Sequence, residues 1–137
     1  MVMSEGTVLL ADRHSPMLEG LRALLEERFE AVIMVADEAS LVRAIEKLQP
    51  VCAIVDMSFP CAASKHGSNI VSVLHARDDN LKLIALSVHD EPSVAQRALE
   101  LGAAGFVIKG WAVSELLPAI DAVLAGGTYV SPHVCSS

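Results

Sequence analysis

Four polar residues each follow a short apolar run, and side chains of these types could together bind an anion. These residues and the runs before them are Asp12 after 8–11, Asp56 after 51–55, Ser87 after 83–86 and Lys109 after 106–108. In an open α/β sheet, ligands bind at the carboxyl ends of the strands, so we expect the four side chains to meet in one crevice. Two carboxylates, a hydroxyl and an ammonium are suited to an anion such as phosphate, held beside a cation.

The apolar runs alternate with helical patterns, which predicts five strand–helix repeats. Pro50 and Gly102 are placed to end the second and fourth helices. Pro118 is predicted near the first turn of the fifth helix, where a missing N–H costs little. The pattern predicts an α/β fold: a doubly wound, five-stranded parallel sheet of order 2-1-3-4-5 in a flavodoxin-like three-layer sandwich. In that order, Asp12 and Asp56 emerge side by side at the switch point.

Length and composition restrict the classes of protein that fit. The 137 residues, 53% of them hydrophobic, suit one globular domain with a substantial core. The net charge of −7 argues against a nucleic-acid surface on this domain, because phosphate backbones require Lys and Arg patches. No apolar stretch approaches the ~18 residues of a membrane span. Three cysteines without a CxxC motif fit a reducing, cytoplasmic location, with Cys52 as a small core residue.

Motifs at the ends of the predicted strands resemble those of response-regulator receiver domains. They are Val-Leu-Leu-Ala-Asp at 8–12, Ile-Val-Asp-Met-Ser-Phe-Pro at 54–60, Leu-Ser at 86–87 and Gly-Ala-Ala-Gly-Phe-Val-Ile-Lys at 102–109. The resemblance extends over about residues 7–125, and stretches 19–25 and 119–132 are similar to the NarL/FixJ subfamily. It implies a receiver domain at 1–127. Residues 128–137 would then begin a linker toward a C-terminal, LuxR-type helix-turn-helix domain absent from this chain.

The resemblance also implies roles for individual residues. Asp56 would be the phosphoacceptor, receiving a phosphoryl group from a sensor histidine kinase. Ser87 would hydrogen-bond one phosphoryl oxygen, and Lys109 would pair with another. Phe106 matches the aromatic residue that changes rotamer when the domain switches. The protein would act as a homodimeric transcription regulator and not as an enzyme, and it would contact DNA only through the absent domain.

One position departs from the family pattern and bears on the expected metal. Asp12, the Asp56 carboxylate and the Ser58 backbone carbonyl would hold Mg²⁺, but Arg13 stands where the family has a second acidic residue. This change removes one negative charge and adds one positive charge, so we expect weaker Mg²⁺ binding. Arg13 could instead pair with Asp56. Two interpretations stay open: a phosphorylated receiver with weakened Mg²⁺ binding, and an atypical receiver that acts by dimerisation or partner binding without phosphate.

Other features of the predicted site distinguish this chain from alternative classes. A hydrolase of the haloacid-dehalogenase type needs an Asp two residues after its nucleophile, where this chain has Ser58. A flavodoxin-like electron carrier needs a Ser/Thr-rich loop after the first strand, which residues 13–16 match poorly.

The loop through residues 61–66 is longer than the receiver family's usual loop. Val88 replaces a small residue and is expected to narrow access to Asp56.

Overall fold

A computed structural model describes residues 6–12, 18–62 and 69–134 of the chain. Strands and helices alternate along the sequence, as predicted. The strands are β1 (Thr7–Ala11), β2 (Ala31–Val35), β3 (Cys52–Asp56), β4 (Leu83–Ser87), β5 (Gly105–Ile108) and β6 (Tyr129–Val130). The helices are α1 (Leu18–Glu26), α2 (Glu38–Leu48), α3 (Ile70–Arg77), α4 (Pro92–Leu101) and α5 (Ala112–Leu124), with a 3₁₀ turn over Lys109–Trp111 before α5. None of the helices in the described ranges is long and apolar enough to cross a membrane.

The sheet is parallel throughout and its order is β2-β1-β3-β4-β5-β6. The predicted order 2-1-3-4-5 is confirmed, but the prediction of five strands is wrong by one. The sixth strand consists of Tyr129 and Val130, which pair with Gly105 and Phe106 of β5. Two residues are too few to form a recognisable strand pattern in the sequence, so β6 was not predicted. Its residues were assigned to the linker instead.

Two apolar layers cover the faces of the sheet, as expected for a doubly wound fold. The alternation of side chains along β1 shows this arrangement directly. Leu9 belongs to a core cluster with residues of α2, α3 and α4, whereas Leu10 belongs to a cluster with residues of α1 and α5. Both side chains are fully buried. Cys52 is also fully buried, which confirms it as a core residue. Burial raises the pKa of its thiol to about 12.

Local signals fix several helix ends. Asp37 caps α2 through a hydrogen bond from the Ser40 backbone N–H, and Asn69 caps α3 in a capping box with Ser72. Gly102 ends α4 with a φ of 118°, as predicted. Pro118, however, lies in the interior of α5 and not in its first turn. The buried face of α5 keeps the helix continuous past this residue, because Leu116, Ala119, Ile120 and Val123 all pack into the core.

Candidate functional site

Two carboxylates lie side by side at the carboxyl edge of the sheet. Ala11 pairs with Val55 across β1 and β3, so the residues that follow, Asp12 and Asp56, emerge from neighbouring strands. The Lys109 ammonium lies between them, with Nζ 2.8 Å from Asp12 Oδ2 and 2.5 Å from Asp56 Oδ2. The structure therefore brings together three of the four polar residues that follow the predicted strands.

The second oxygen of Asp56 is held from the loop after β3. The backbone N–H and the hydroxyl of Ser58 both donate to Asp56 Oδ1, each at 2.8 Å. Burial alone would raise the pKa of Asp56, but the hydrogen bonds from Lys109 and Ser58 outweigh it and lower that pKa below its ordinary value. The carboxylate is therefore ionised at neutral pH and has a fixed orientation.

The charge of Lys109 is stabilised by its two acidic neighbours. Burial would lower the pKa of the Lys109 ammonium, whereas its hydrogen bonds and charge interactions with Asp12 and Asp56 raise it above the ordinary value. Its side chain is only 15% exposed. Lys109 is thus a permanently charged group inside the site, and not a solvated surface lysine.

Ser87 completes the set, because it lines the same crevice as Asp56 and Lys109. This crevice has a volume of about 280 Å³, and Ser58, Val88 and His89 also line it. The Ser87 hydroxyl oxygen accepts a hydrogen bond from the His89 backbone N–H at 2.9 Å. The hydroxyl proton can still be donated into the crevice, since a serine hydroxyl both donates and accepts. Val88 is 72% exposed at the crevice.

Phe106 lies beneath the site in the core. Its side chain is fully buried in the apolar cluster on the α2–α4 face of the sheet. Its backbone carbonyl accepts a hydrogen bond from the Ser131 N–H at 2.9 Å, just beyond β6. The rotamer change expected of Phe106 stays a prediction.

Comparison with known proteins identifies the family and the fold of this chain. The sequence profile of the response regulator receiver domain matches residues 8–121. The chain belongs to the response regulator receiver family. The transcriptional regulatory protein DegU of Brevibacillus brevis is 30% identical over 129 residues, which are 93% of this chain and 53% of DegU. The chain thus spans about half the length of this curated relative, and 59% of several others.

Solved receiver structures superpose on nearly the whole chain. A LuxR-family response regulator from Aurantimonas sp. SI85-9A1 has a TM-score of 0.80 and 27% identity, covering 96% of this chain and 93% of that one. The isolated receiver domain of RcsB from Salmonella enterica serovar Typhimurium, with phosphomimetic BeF₃⁻, has a TM-score of 0.78 and 25% identity. That match covers 94% of this chain and 95% of the RcsB domain. The relatives of this receiver are thus LuxR/NarL-type regulators, as the sequence motifs predicted.

The donor set of the receiver site suits the Mg²⁺ expected for this family. The carboxylates of Asp12 and Asp56 lie close enough together for the Lys109 ammonium to contact both, and carboxylate oxygens are the ligands that Mg²⁺ prefers. Ser58 also lies at the site, where its backbone carbonyl is the third predicted ligand. Arg13 is outside the described residues, so its predicted effect on the metal and its pairing with Asp56 stay predictions. In the described part of the chain, the cation beside Asp56 is Lys109.

A cluster formed by Trp111, His133 and Glu115 was not foreseen from the sequence. The ring of Trp111 stacks on that of His133 with centroids 3.6 Å apart and planes inclined by 6°. Glu115 of α5 is buried, and its Oε2 lies 3.4 Å from His133 Nε2. In the sequence, Glu115 resembles an ordinary acidic residue in the first turn of a helix. Tyr129 and His133 lie near it because residues 129–134 fold back onto the sheet, and a local sequence pattern does not show such a contact.

Proposed function

We propose that this domain is the phosphoryl-accepting switch of a two-component system, with Asp56 as the acceptor. The observation that supports this proposal most directly is the position of the Asp56 carboxylate. It lines a crevice together with an ammonium from Lys109 and a hydroxyl from Ser87. This arrangement offers a nucleophile and two groups that bind phosphoryl oxygens.

The reaction follows from the ionisation of these groups. An ionised Asp56 oxygen attacks the phosphorus of the donor, the bond from phosphorus to the leaving group breaks, and the leaving group keeps that electron pair. The product is an acyl phosphate on Asp56. Lys109 binds a phosphoryl oxygen as a point charge, and Ser87 donates its hydroxyl proton to another. Mg²⁺, held by Asp12, Asp56 and Ser58, would neutralise charge on the phosphoryl group.

The donor and the output follow from the family. A sensor histidine kinase would supply the phosphoryl group, and a homodimer would be the form that acts. DegU is named as a transcriptional regulatory protein, which supports transcription control as the output here. The receiver is acidic, with a net charge of −7. DNA would therefore be bound by a separate domain.

Intact-mass measurement after incubation with acetyl phosphate tests the acceptor assignment. We expect the wild-type chain, with Mg²⁺ present, to gain one phosphoryl group of ~80 Da, the mass of the trapped covalent intermediate. Asp56→Asn should abolish the gain, whereas Asp79→Asn, at an exposed carboxylate, should leave it unchanged. If Asp56→Asn is labelled as well as the wild type, the assignment is wrong.

A second candidate function is a receiver that acts by protein contacts alone. The presence of Arg13 favours it, because the residue that follows Asp12 in the sequence carries a positive charge in place of the family's acidic ligand. In that case the folded wild-type protein gains no mass with or without Mg²⁺. Its oligomeric state would then be the same before and after treatment with acetyl phosphate.

A further inference from the structure

Residues 129–134, here called the strap, lie along the outer edge of the sheet beside β5. Backbone hydrogen bonds join Tyr129 N to Ala104 O at 3.0 Å and Ser131 N to Phe106 O at 2.9 Å. The two apolar ends of the strap lie on opposite faces of the sheet. Tyr129 packs on the cluster beneath α1 and α5, and Val134 packs on the cluster beneath α2–α4. The strap is therefore docked on β5.

The strap also meets polar groups of the α5 side. His133 stacks on Trp111, and its Nε2 is 3.4 Å from Oε2 of the buried Glu115. Burial and the nearby Glu115 carboxylate raise the pKa of Tyr129 above its ordinary value. Ser131 is only 2% exposed, and its hydroxyl accepts a hydrogen bond from the His133 N–H at 3.2 Å. These contacts hold the strap in one position.

The strap and the phosphoacceptor site share one short piece of backbone. This backbone is the 3₁₀ turn Lys109–Trp111. Its first residue, Lys109, carries the ammonium that lies between Asp12 and Asp56. Its last residue carries the indole that stacks on His133. An acyl phosphate carries about two negative charges where the Asp56 carboxylate carries one, and these charges lie farther from β3, so the Lys109 ammonium would shift away from Asp12 to pair with them. Lys109 and Trp111 are the first and last residues of this turn, so a shift of the Lys109 backbone would also displace the Trp111 ring.

We propose that the strap is a latch whose docking is coupled, through the turn Lys109–Trp111, to what occupies Asp56. The docked strap stabilises the arrangement in which Lys109 bridges Asp12 and Asp56. A phosphoryl group on Asp56 opens the Trp111–His133 stack and loosens the strap. This inference rests on the proposed function, because it requires Asp56 to accept a phosphoryl group or its mimic.

Linkage gives the inference a second, reciprocal consequence. If an occupant of Asp56 weakens strap docking, then weakening the strap must tighten binding of that occupant by the same factor. The variant His133→Ala removes the stacking partner of Trp111 from the strap. The variant His133→Phe keeps an aromatic ring for stacking but has no imidazole to face Glu115. The two variants separate loss of the stack from loss of the imidazole.

The test uses beryllofluoride with Mg²⁺ on the whole chain and two independent measurements. Fluorine-19 NMR reports occupancy of the site, and fluorescence of Trp111, the single tryptophan, reports the stack. We expect beryllofluoride to change the Trp111 emission of the wild type but not of Asp56→Asn. We expect His133→Ala to lower the half-saturating beryllofluoride concentration by about fivefold or more, at the low end of usual allosteric couplings. His133→Phe should return it toward the wild-type value.

The possible failures are distinguishable. Absence of a bound fluorine resonance in the folded wild type overturns both the proposed function and the latch. A bound resonance with unchanged Trp111 emission, and equal half-saturation in His133→Ala, overturns the latch and leaves the acceptor assignment standing. An emission change that persists in Asp56→Asn also overturns the latch, because the signal would not come from that site.

Discussion

The Nζ atom of Lys109 lies 2.5 Å from Oδ2 of Asp56, so the proposed phosphoacceptor already has a cation of the chain's own. The same ammonium also contacts Asp12 at 2.8 Å. Two carboxylates at the end of a sheet would repel each other without this bridge. Lys109 therefore has a structural role in the resting domain in addition to its proposed role toward phosphate.

Removing the bridge should cost stability. We expect Lys109→Met to lower the free energy of unfolding by roughly 1–3 kcal/mol. This is less than the loss typical of breaking a fully buried ion pair, because the Lys109 side chain is partly exposed. Urea denaturation measures this change. Lys47→Met, on the exposed face of α2, should have little effect. An equal change in the two variants would contradict the bridging role.

The ionisation of Tyr129 should report the buried carboxylate beside it. Burial and Glu115 raise the pKa of this single tyrosine, so Glu115→Gln should shift the pKa back toward about 10, the ordinary value. Ultraviolet absorbance of tyrosinate during a pH titration measures it. Glu30→Gln, at an exposed carboxylate, is the control. Equal midpoints in the wild type and Glu115→Gln would show that the carboxylate does not act on Tyr129.

The same shift has a consequence for alkaline stability. The pKa of Tyr129 is higher in the folded protein than in the unfolded chain. The protonated Tyr129 phenol therefore contributes fully to the free energy of unfolding below about pH 10. This contribution is lost as the pH rises through the folded pKa. We expect Glu115→Gln to lose this contribution at lower pH than the wild type, measured as the unfolding free energy across the alkaline range.

Restoring an acidic residue at position 13 should strengthen metal binding. We expect Arg13→Asp to bind Mg²⁺ at least ~10-fold more tightly, because it replaces a positive charge next to Asp12 with a carboxylate ligand. Isothermal titration calorimetry measures the affinity. Arg43→Asp makes the same charge change on the exposed surface of α2 and should have a much smaller effect. Similar gains in both variants would indicate a general charge effect.

Two glycines provide a matched test of the packing beneath α4. A Cβ on Gly102, where φ is 118°, would lie 2.3 Å from Cγ of His75. We therefore expect Gly102→Ala to destabilise the fold by about 2–4 kcal/mol. Gly20, in α1, has open space around it, so Gly20→Ala should stabilise by about 0.5–1 kcal/mol. Urea unfolding that shows equal effects would contradict the close approach of α3 and α4.

The sequence predicted those parts of the site that depend on one strand and its end. Asp56, Ser87 and Lys109 each follow an apolar run, and a parallel sheet places such residues at one edge. The strap was not predicted, because Tyr129–Val130 is short and its docking depends on contacts made across the fold. The burial of Glu115 was missed for the same reason. Arg13 lies outside the described residues, and its role rests on charge alone.

The sixth strand has one more consequence, for association between molecules. Without Tyr129 and Val130, β5 would be the outermost strand on that side of the sheet. Its row of N–H and C=O groups would then be open to pairing with a strand of another chain. The short β6 thus protects an edge as well as positioning the strap. A chain cut after Gly127, or one whose strap has been released, should be more prone to self-association through β5.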